Sequence, residues 1–266
     1  MLHQTPPIST DALLTLVLSG LLLLTAIYEG FTQWRGRDTH PVFMATAVIL
    51  LASNFVAHAH FAFGWENAGV FLGVALIVPY TLEVLSLKTG FPFGSYHYTG
   101  HLGFNLPLGL PAYVALSWLL LLYCGLFVGQ ALAIIFPVLQ NPIFQIILVS
   151  ISLVITDSVM DPIAFRMEYW IWRRQGRWFG IPATNFFGWF FTATLSLTIL
   201  SLFTEPLAMR PIPEPHWLYF IPVLMYGLLG LQFIGLLRKQ SLAKLIPLTA
   251  IQGCVLIGLY VAVLLK

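Results

Sequence analysis

The sequence predicts an all-α integral membrane bundle of about eight transmembrane helices, and three observations predict it. The chain is 59% hydrophobic and only 8% charged over 266 residues, whereas soluble domains carry about 25% charged residues. Its mean hydropathy is +0.88. Its apolar residues fall in runs close to the roughly 20 that a helix needs to cross a bilayer. One membrane domain spanning 1–266 is the economical reading of that length.

The apolar runs are 12–29, 42–58, 68–87, 110–136, 143–161, 184–203, 217–237 and 245–265. The second is short, and Pro247 near the start of the last fits a first-turn proline, which has no helical hydrogen bond to lose there. Residues 1–11 contain no Lys or Arg, and the run behind them is long enough to span, so a cleavable signal peptide is not expected. No internal repeat, low-complexity tract or heptad pattern interrupts the chain. Cys124 and Cys254 sit inside apolar runs without a CxxC pair, which reads as two inert membrane thiols.

The connections set the orientation. Arg35, Arg37, Lys88, Arg166, Arg173, Arg174, Arg177, Arg238, Lys239 and Lys244 all fall on one side, against Arg210 and Lys266 on the other. Cytoplasmic loops carry the excess of basic residues. Both termini are therefore expected away from the cytoplasm, with the loops after the third and fifth runs inside it. The net charge of +2, spread along the chain, excludes nucleic acid as a partner to expect.

Two connections are unusual. The segment 90–110 (GFPFGSYHYTGHLGFNLPLGL) has five glycines and two prolines among alternating aromatics. It is too broken for a helix and too apolar for an ordinary aqueous loop. Non-helical backbone at membrane depth survives only where protein or a cavity satisfies its polar groups, so a re-entrant or cavity-lining loop is expected, against a structured interfacial loop. In 162–182 an apolar stretch from Ile163 to Trp172 carries interspersed Arg and Glu, then breaks at Arg173 and Arg174. That pattern predicts a helix lying along the cytoplasmic interface.

The chemistry concentrates in 155–189, with a second motif at 83–101. Asp157 and Asp161 are four residues apart, about 40° on a helical wheel, and so share a face. Two carboxyl groups that close, in oily surroundings, cannot both ionise cheaply, and the pair is expected to hold a proton near neutral pH. A general acid needs that proton. A charged residue deep in a membrane helix costs about 2.5–3.5 kcal/mol, which marks it for function; the bland reading makes Asp161, before Pro162, a solvated helix end. Glu83 falls at the same depth, either as a third acid of the site or as an ion-pair partner for the arginines of 166–177. Glu29 sits near Arg35 and Arg37 and reads as structural, while Glu66, Glu205 and Glu214 read as the opposite surface.

Other chemistries fit less well. The seven histidines do not form the dense clusters of membrane di-iron enzymes, and no metal site is expected. His97 and His101 remain candidate proton relays. No lysine is placed mid-membrane for a Schiff base, and the Asp157–Asp161 pair lacks the second aspartate-rich motif of a membrane prenyltransferase. The aromatics Phe91, Phe93, Tyr96, Tyr98, Trp170, Trp172, Trp178, Phe186, Phe187 and Trp189 offer flat faces for a long apolar substrate. Each such face can also steady a cation by roughly 0.5–2 kcal/mol.

With these residues assembled, the chain resembles the membrane-integral carotenoid biosynthesis proteins that hydrate acyclic carotenoid ends, the carotenoid 1,2-hydratases (also called 1′-hydroxylases) of the myxol and bacterioruberin pathways. The resemblance rests on Glu83 with GFPFGSYHYT at 90–99, on DSVMDPIAF at 157–165, and on the tract from Trp170 through Gly180, Ile181 and Pro182 to Asn185, Gly188 and Trp189. It covers the middle half of the chain, and the end helices only by hydropathy. It implies water addition across the terminal C1–C2 double bond of an acyclic or monocyclic, lycopene-like carotenoid, without a cofactor. The partners it implies are that carotenoid, water and membrane lipid. The residues themselves nominate Asp157, Asp161 and Glu83 as the acids, and Phe91, Tyr96, His97, Tyr98, Trp172, Trp178, Asn185 and Trp189 as the substrate and water site. Two other classes could use the same features: a small proton-coupled carrier, for which no inverted repeat is seen, and a carotenoid-binding protein without turnover.

Overall fold

Away from water, these apolar runs can satisfy their backbone N–H and C=O groups only within helices or closed barrels, and their length suits helices. The computed structural model describes residues 9–35, 41–203, 212 and 216–266. Arg37, Glu205, Arg210 and Glu214, which the sequence assigned to one surface or the other, lie outside them. The helices are α1 (Thr10–Trp34), α2 (Pro41–Thr89), α3 (Ala112–Ile135), α4 (Pro142–Arg166), α5 (Ala183–Phe203), the single turn α6 (His216–Tyr219), α7 (Ile221–Lys239) and α8 (Ile246–Leu264). Seven of these described helices are long and apolar enough to cross a membrane.

The runs 42–58 and 68–87 lie within the one helix α2, whose regular conformation breaks at Gly64 (φ 73°, ψ 168°). Only a residue without a Cβ adopts that conformation freely. The chain folds back there. The rings of Phe55 and Phe71 are 6.1 Å apart and both touch Tyr123, whereas 16 residues of straight helix would separate them by about 24 Å. Ser19 Oγ, donating to Asn54 Oδ1 at 2.9 Å, ties α1 to the first arm. At the tip of the hairpin His60 Nδ1 meets Asp11 at 3.3 Å.

The centre of the bundle is α3, whose buried residues lie on every face from Ala115 to Ala133. A helix apolar all round belongs inside. Gly125 and Gly129 bring it against α4: a Cβ on Gly125 would come within 2.7 Å of Val149 Cγ1, and one on Gly129 within 3.1 Å of Val149 Cγ2. Small residues four apart let membrane helices approach closely.

The interfacial helix expected over Ile163–Trp172 does not form. Instead α4 continues through Pro162 to Arg166, and the chain then makes a short strand, β2 (Trp170–Trp172). Its partner is β1 (Tyr96–Tyr98), antiparallel, with Tyr96 opposite Trp172 and Tyr98 opposite Trp170. The ribbon is lengthened by Arg173 N–H donating to Ser95 O at 2.9 Å and Thr99 N–H to Tyr169 O at 3.2 Å. The all-helical expectation therefore holds for the spans but not for the connections. This ribbon covers the end of the bundle where α2 and α4 finish and α3 and α5 begin.

Close packing fixes the loop that carries β1. A Cβ on Gly188 of α5 would lie 2.8 Å from Phe93 Cα and 2.9 Å from its Cγ, so the α5 backbone rests directly on the loop. Gly188→Ala is expected to destabilise the protein by about 1–3 kcal/mol through overpacking and to lower its melting temperature in detergent. Gly73→Ala, with nothing within 4 Å of the added atom, is the control and should not. Equal melting temperatures for the two variants would contradict the packing described.

Candidate functional site

The covered end of the bundle gathers three carboxyl groups from two helices. Asp157 is 0% exposed, Asp161 2% and Glu83 5%. The solvated-end reading of Asp161 is therefore wrong. Pro162 does not stop α4, because the carbonyl it leaves without an N–H partner, that of Ser158 four residues back, accepts the Trp178 indole N–H at 2.8 Å. The helix continues, and Asp161 stays inside it.

Asp157 and Asp161 face α5. The side-chain amide of Asn185, in the first turn of that helix, donates to Asp157 Oδ2 at 2.7 Å and to Asp161 Oδ2 at 2.5 Å. The two carboxyl groups thus share one donor nitrogen. Two buried carboxyl groups that close cannot both ionise cheaply. The other oxygen of Asp157, Oδ1, is buried without a hydrogen-bond partner.

Glu83 is held differently. Its Oε2 accepts from the hydroxyls of Tyr96 and Tyr98, the latter at 3.2 Å. Its Oε1 accepts the Trp118 indole N–H at 2.9 Å. The ion pair with the arginines of 166–177, one of the sequence expectations, is not made: Arg166, Arg173, Arg174 and Arg177 are exposed. Among the described residues no Lys, Arg or His pairs with any of the three acids. Burial, and next the charge of Glu83, lift the phenols of Tyr96 and Tyr98 well above the usual tyrosine range, so both stay protonated as donors.

Aromatic rings wall the site. Trp118 stacks on Trp189 with centroids 4.0 Å apart, Tyr96 packs on Trp172 at 4.9 Å, and Tyr98 meets Trp170 edge-on at 6.1 Å. The indole N–H of Trp172 is buried without a partner. One to three turns further into the bundle, a shallow apolar cleft between α2, α3 and α5 is lined by Phe71, Ala75, Leu122, Leu197 and Leu200 among others.

Of the residues singled out from the sequence, Asp157, Asp161, Glu83, Tyr96, Tyr98, Trp172, Asn185 and Trp189 come together here. Three do not. His97 is exposed and, by strand alternation, points away from the face that carries Tyr96 and Tyr98. Phe91 is 48% exposed, with its ring against Phe191. Trp178 is 40% exposed, with its N–H engaged by Ser158. Trp118 was missed. The available signal was an indole deep in an apolar run, whose N–H must find an acceptor when buried. No group of three or more His, Cys, Asp or Glu suited to a metal occurs among the described residues.

The arrangement offers a carboxyl proton, a second carboxyl group on a set of donors, and ring faces that can steady a positive carbon. The chain is 26% identical over 153 residues to the bisanhydrobacterioruberin hydratase of Haloarcula japonica, an alignment covering 54% of this chain and 48% of that protein. It thus spans about half the length of the curated relative it matches. No solved structure matches. Residues 40–259, which hold every group of the site, match the family described as carotenoid biosynthesis protein, and the chain belongs to that family.

Proposed function

We propose that this protein is a membrane-embedded carotenoid hydratase that adds water across the terminal C1–C2 double bond of an acyclic ψ end group. One observation carries the reading: three buried carboxyl groups, ringed by indoles and phenols, have no basic side chain among the described residues to balance them. A carbocation formed in their midst supplies the missing positive charge. A site so arranged binds the transition state better than the uncharged substrate, which is the condition for lowering a barrier.

In this mechanism the Asp157–Asp161 pair gives its proton to C2 of the alkene. The tertiary cation left at C1 is steadied by Trp172, Trp189 and the nearby carboxyl groups, and water captures it as a tertiary alcohol. Asn185 holds the pair in register. The polyene reaches the site sideways from lipid, along the seam between the second arm of α2, α3 and α5 that the apolar cleft marks. The relative from Haloarcula japonica, named a hydratase, supports the reaction class.

In this reading the ribbon end, which carries most of the basic residues, faces the cytoplasm. Counting the two arms of α2 as separate crossings gives eight spans and puts both termini on the other side. The loop of β1 then dips from the cytoplasmic face to bring its tyrosines to Glu83.

The test is to express the chain beside a pathway that makes lycopene and to extract the pigments. A new, more polar monohydroxy or dihydroxy carotenoid is expected. Pigment bound to the purified protein but unchanged would favour a binding protein, and neither product nor bound pigment would favour a carrier; either result overturns the hydratase reading.

A further inference from the structure

We infer that the two acidic centres divide the reaction between them: the Asp157–Asp161 pair protonates the alkene, and Glu83, through the Tyr98 hydroxyl, takes the proton that the attacking water must lose. This inference rests on the hydratase reading above and assigns the roles within it.

The two centres differ in what they are built to hold. The aspartates share one donor, the Asn185 amide, so the buried pair keeps a proton, and Asp157 has an oxygen free of partners to present it. Glu83 accepts three donors and has none of its own to satisfy, two on Oε2 and one on Oε1. Such donors favour the anion. A carboxyl group met only by donors is set to accept a proton rather than to give one. Three elements converge to make it so: Tyr96 and Tyr98 from β1 and Trp118 from α3, around a residue of α2.

The atoms balance as follows. The carboxyl proton forms a bond to C2, and the π electrons of the C1–C2 bond make it, leaving C1 positive. A lone pair of water forms the C1–O bond. The water proton passes to the Tyr98 oxygen while the Tyr98 proton passes to Glu83. One turnover leaves the aspartate pair a proton short and Glu83 a proton richer. Glu83 gives that proton to solvent and the aspartate pair takes one back as the product leaves, which closes the cycle. Water and alkene become alcohol with no electron gained or lost.

The two roles separate in deuterated water. The purified full-length protein is given lycopene in detergent, and both the alcohol and the unreacted carotenoid are weighed by mass spectrometry. Wild type should give alcohol with one carbon-bound deuterium. Glu83→Gln should lose alcohol formation by about 10²–10³-fold yet still place deuterium in the recovered carotenoid, because reversible protonation at C2 no longer ends in capture. Asp157→Asn should give neither. Tyr98→Phe, which leaves Glu83 its Tyr96 and Trp118 donors, should behave like Glu83→Gln and carries the test if that variant does not accumulate. The assignment is overturned if folded Glu83→Gln or Tyr98→Phe incorporates no deuterium, or if Asp157→Asn still does. A wild type that forms no alcohol at all would instead sink the hydratase reading itself.

Discussion

Asp157→Asn is expected to lower hydration of an acyclic carotenoid by about 10³-fold, the middle of the range for loss of a general acid. The substitution changes little else. Asparagine has the same shape, its carbonyl oxygen can accept the Asn185 amide in place of Asp157 Oδ2, and no basic partner is left behind, since none exists among the described residues. Accumulation and melting temperature should therefore match wild type. Asp161→Asn should cost less, because the remaining Asp157 keeps its unpartnered Oδ1. The measurement is alcohol formed per unit of folded protein, read from pigment extracts at matched expression. Wild-type turnover by Asp157→Asn would remove this residue from the mechanism.

What the sequence revealed of this site, and what it concealed, follows from how far each interaction reaches along the chain. The aspartate pair was legible because four-residue spacing is a local property of any helix. Glu83 was legible as an acid in an apolar run, but not its surroundings: its partners are 13, 15 and 35 residues away, two on the short strand β1 and one in another helix. The reversal between the runs 42–58 and 68–87 was legible as the gap in hydropathy around His60, Glu66 and Asn67, but not that helix would continue up to a turn at Gly64 alone. Over Ile163–Trp172 the reading failed for a sharper reason. A run as short as Trp170-Ile171-Trp172 fits either a helix or a strand period, and the deciding partner, Tyr96–Tyr98, lies far upstream. Pro162 misled in the opposite direction, since the carbonyl it frees is taken by Trp178, which turned a helix stop into a continuous helix and a candidate substrate contact into a brace for it.

The second large effect concerns the origin of the product oxygen. In water enriched in oxygen-18 and in the absence of air, the new hydroxyl should carry the label at the enrichment of the water, and the rate should equal that in air. The argument begins with charge. Protonation at C2 puts the cation at the tertiary C1, beside carboxyl groups that are already deficient in positive partners and ring faces that stabilise it by roughly 0.5–2 kcal/mol each. A cation so placed takes the first lone pair it meets, and water supplies one without any change of oxidation state. An oxygenase would insert one atom of dioxygen and need two electrons for the other, so its product would carry oxygen from the gas and its rate would fall to nothing without air. Position gives a second reading of the same event: capture at the better-stabilised carbon yields only the tertiary alcohol, with the solvent-derived hydrogen on C2. Label arriving from dioxygen, or a hydroxyl at C2, would mean that the carboxyl groups buried beneath the ribbon serve some other purpose.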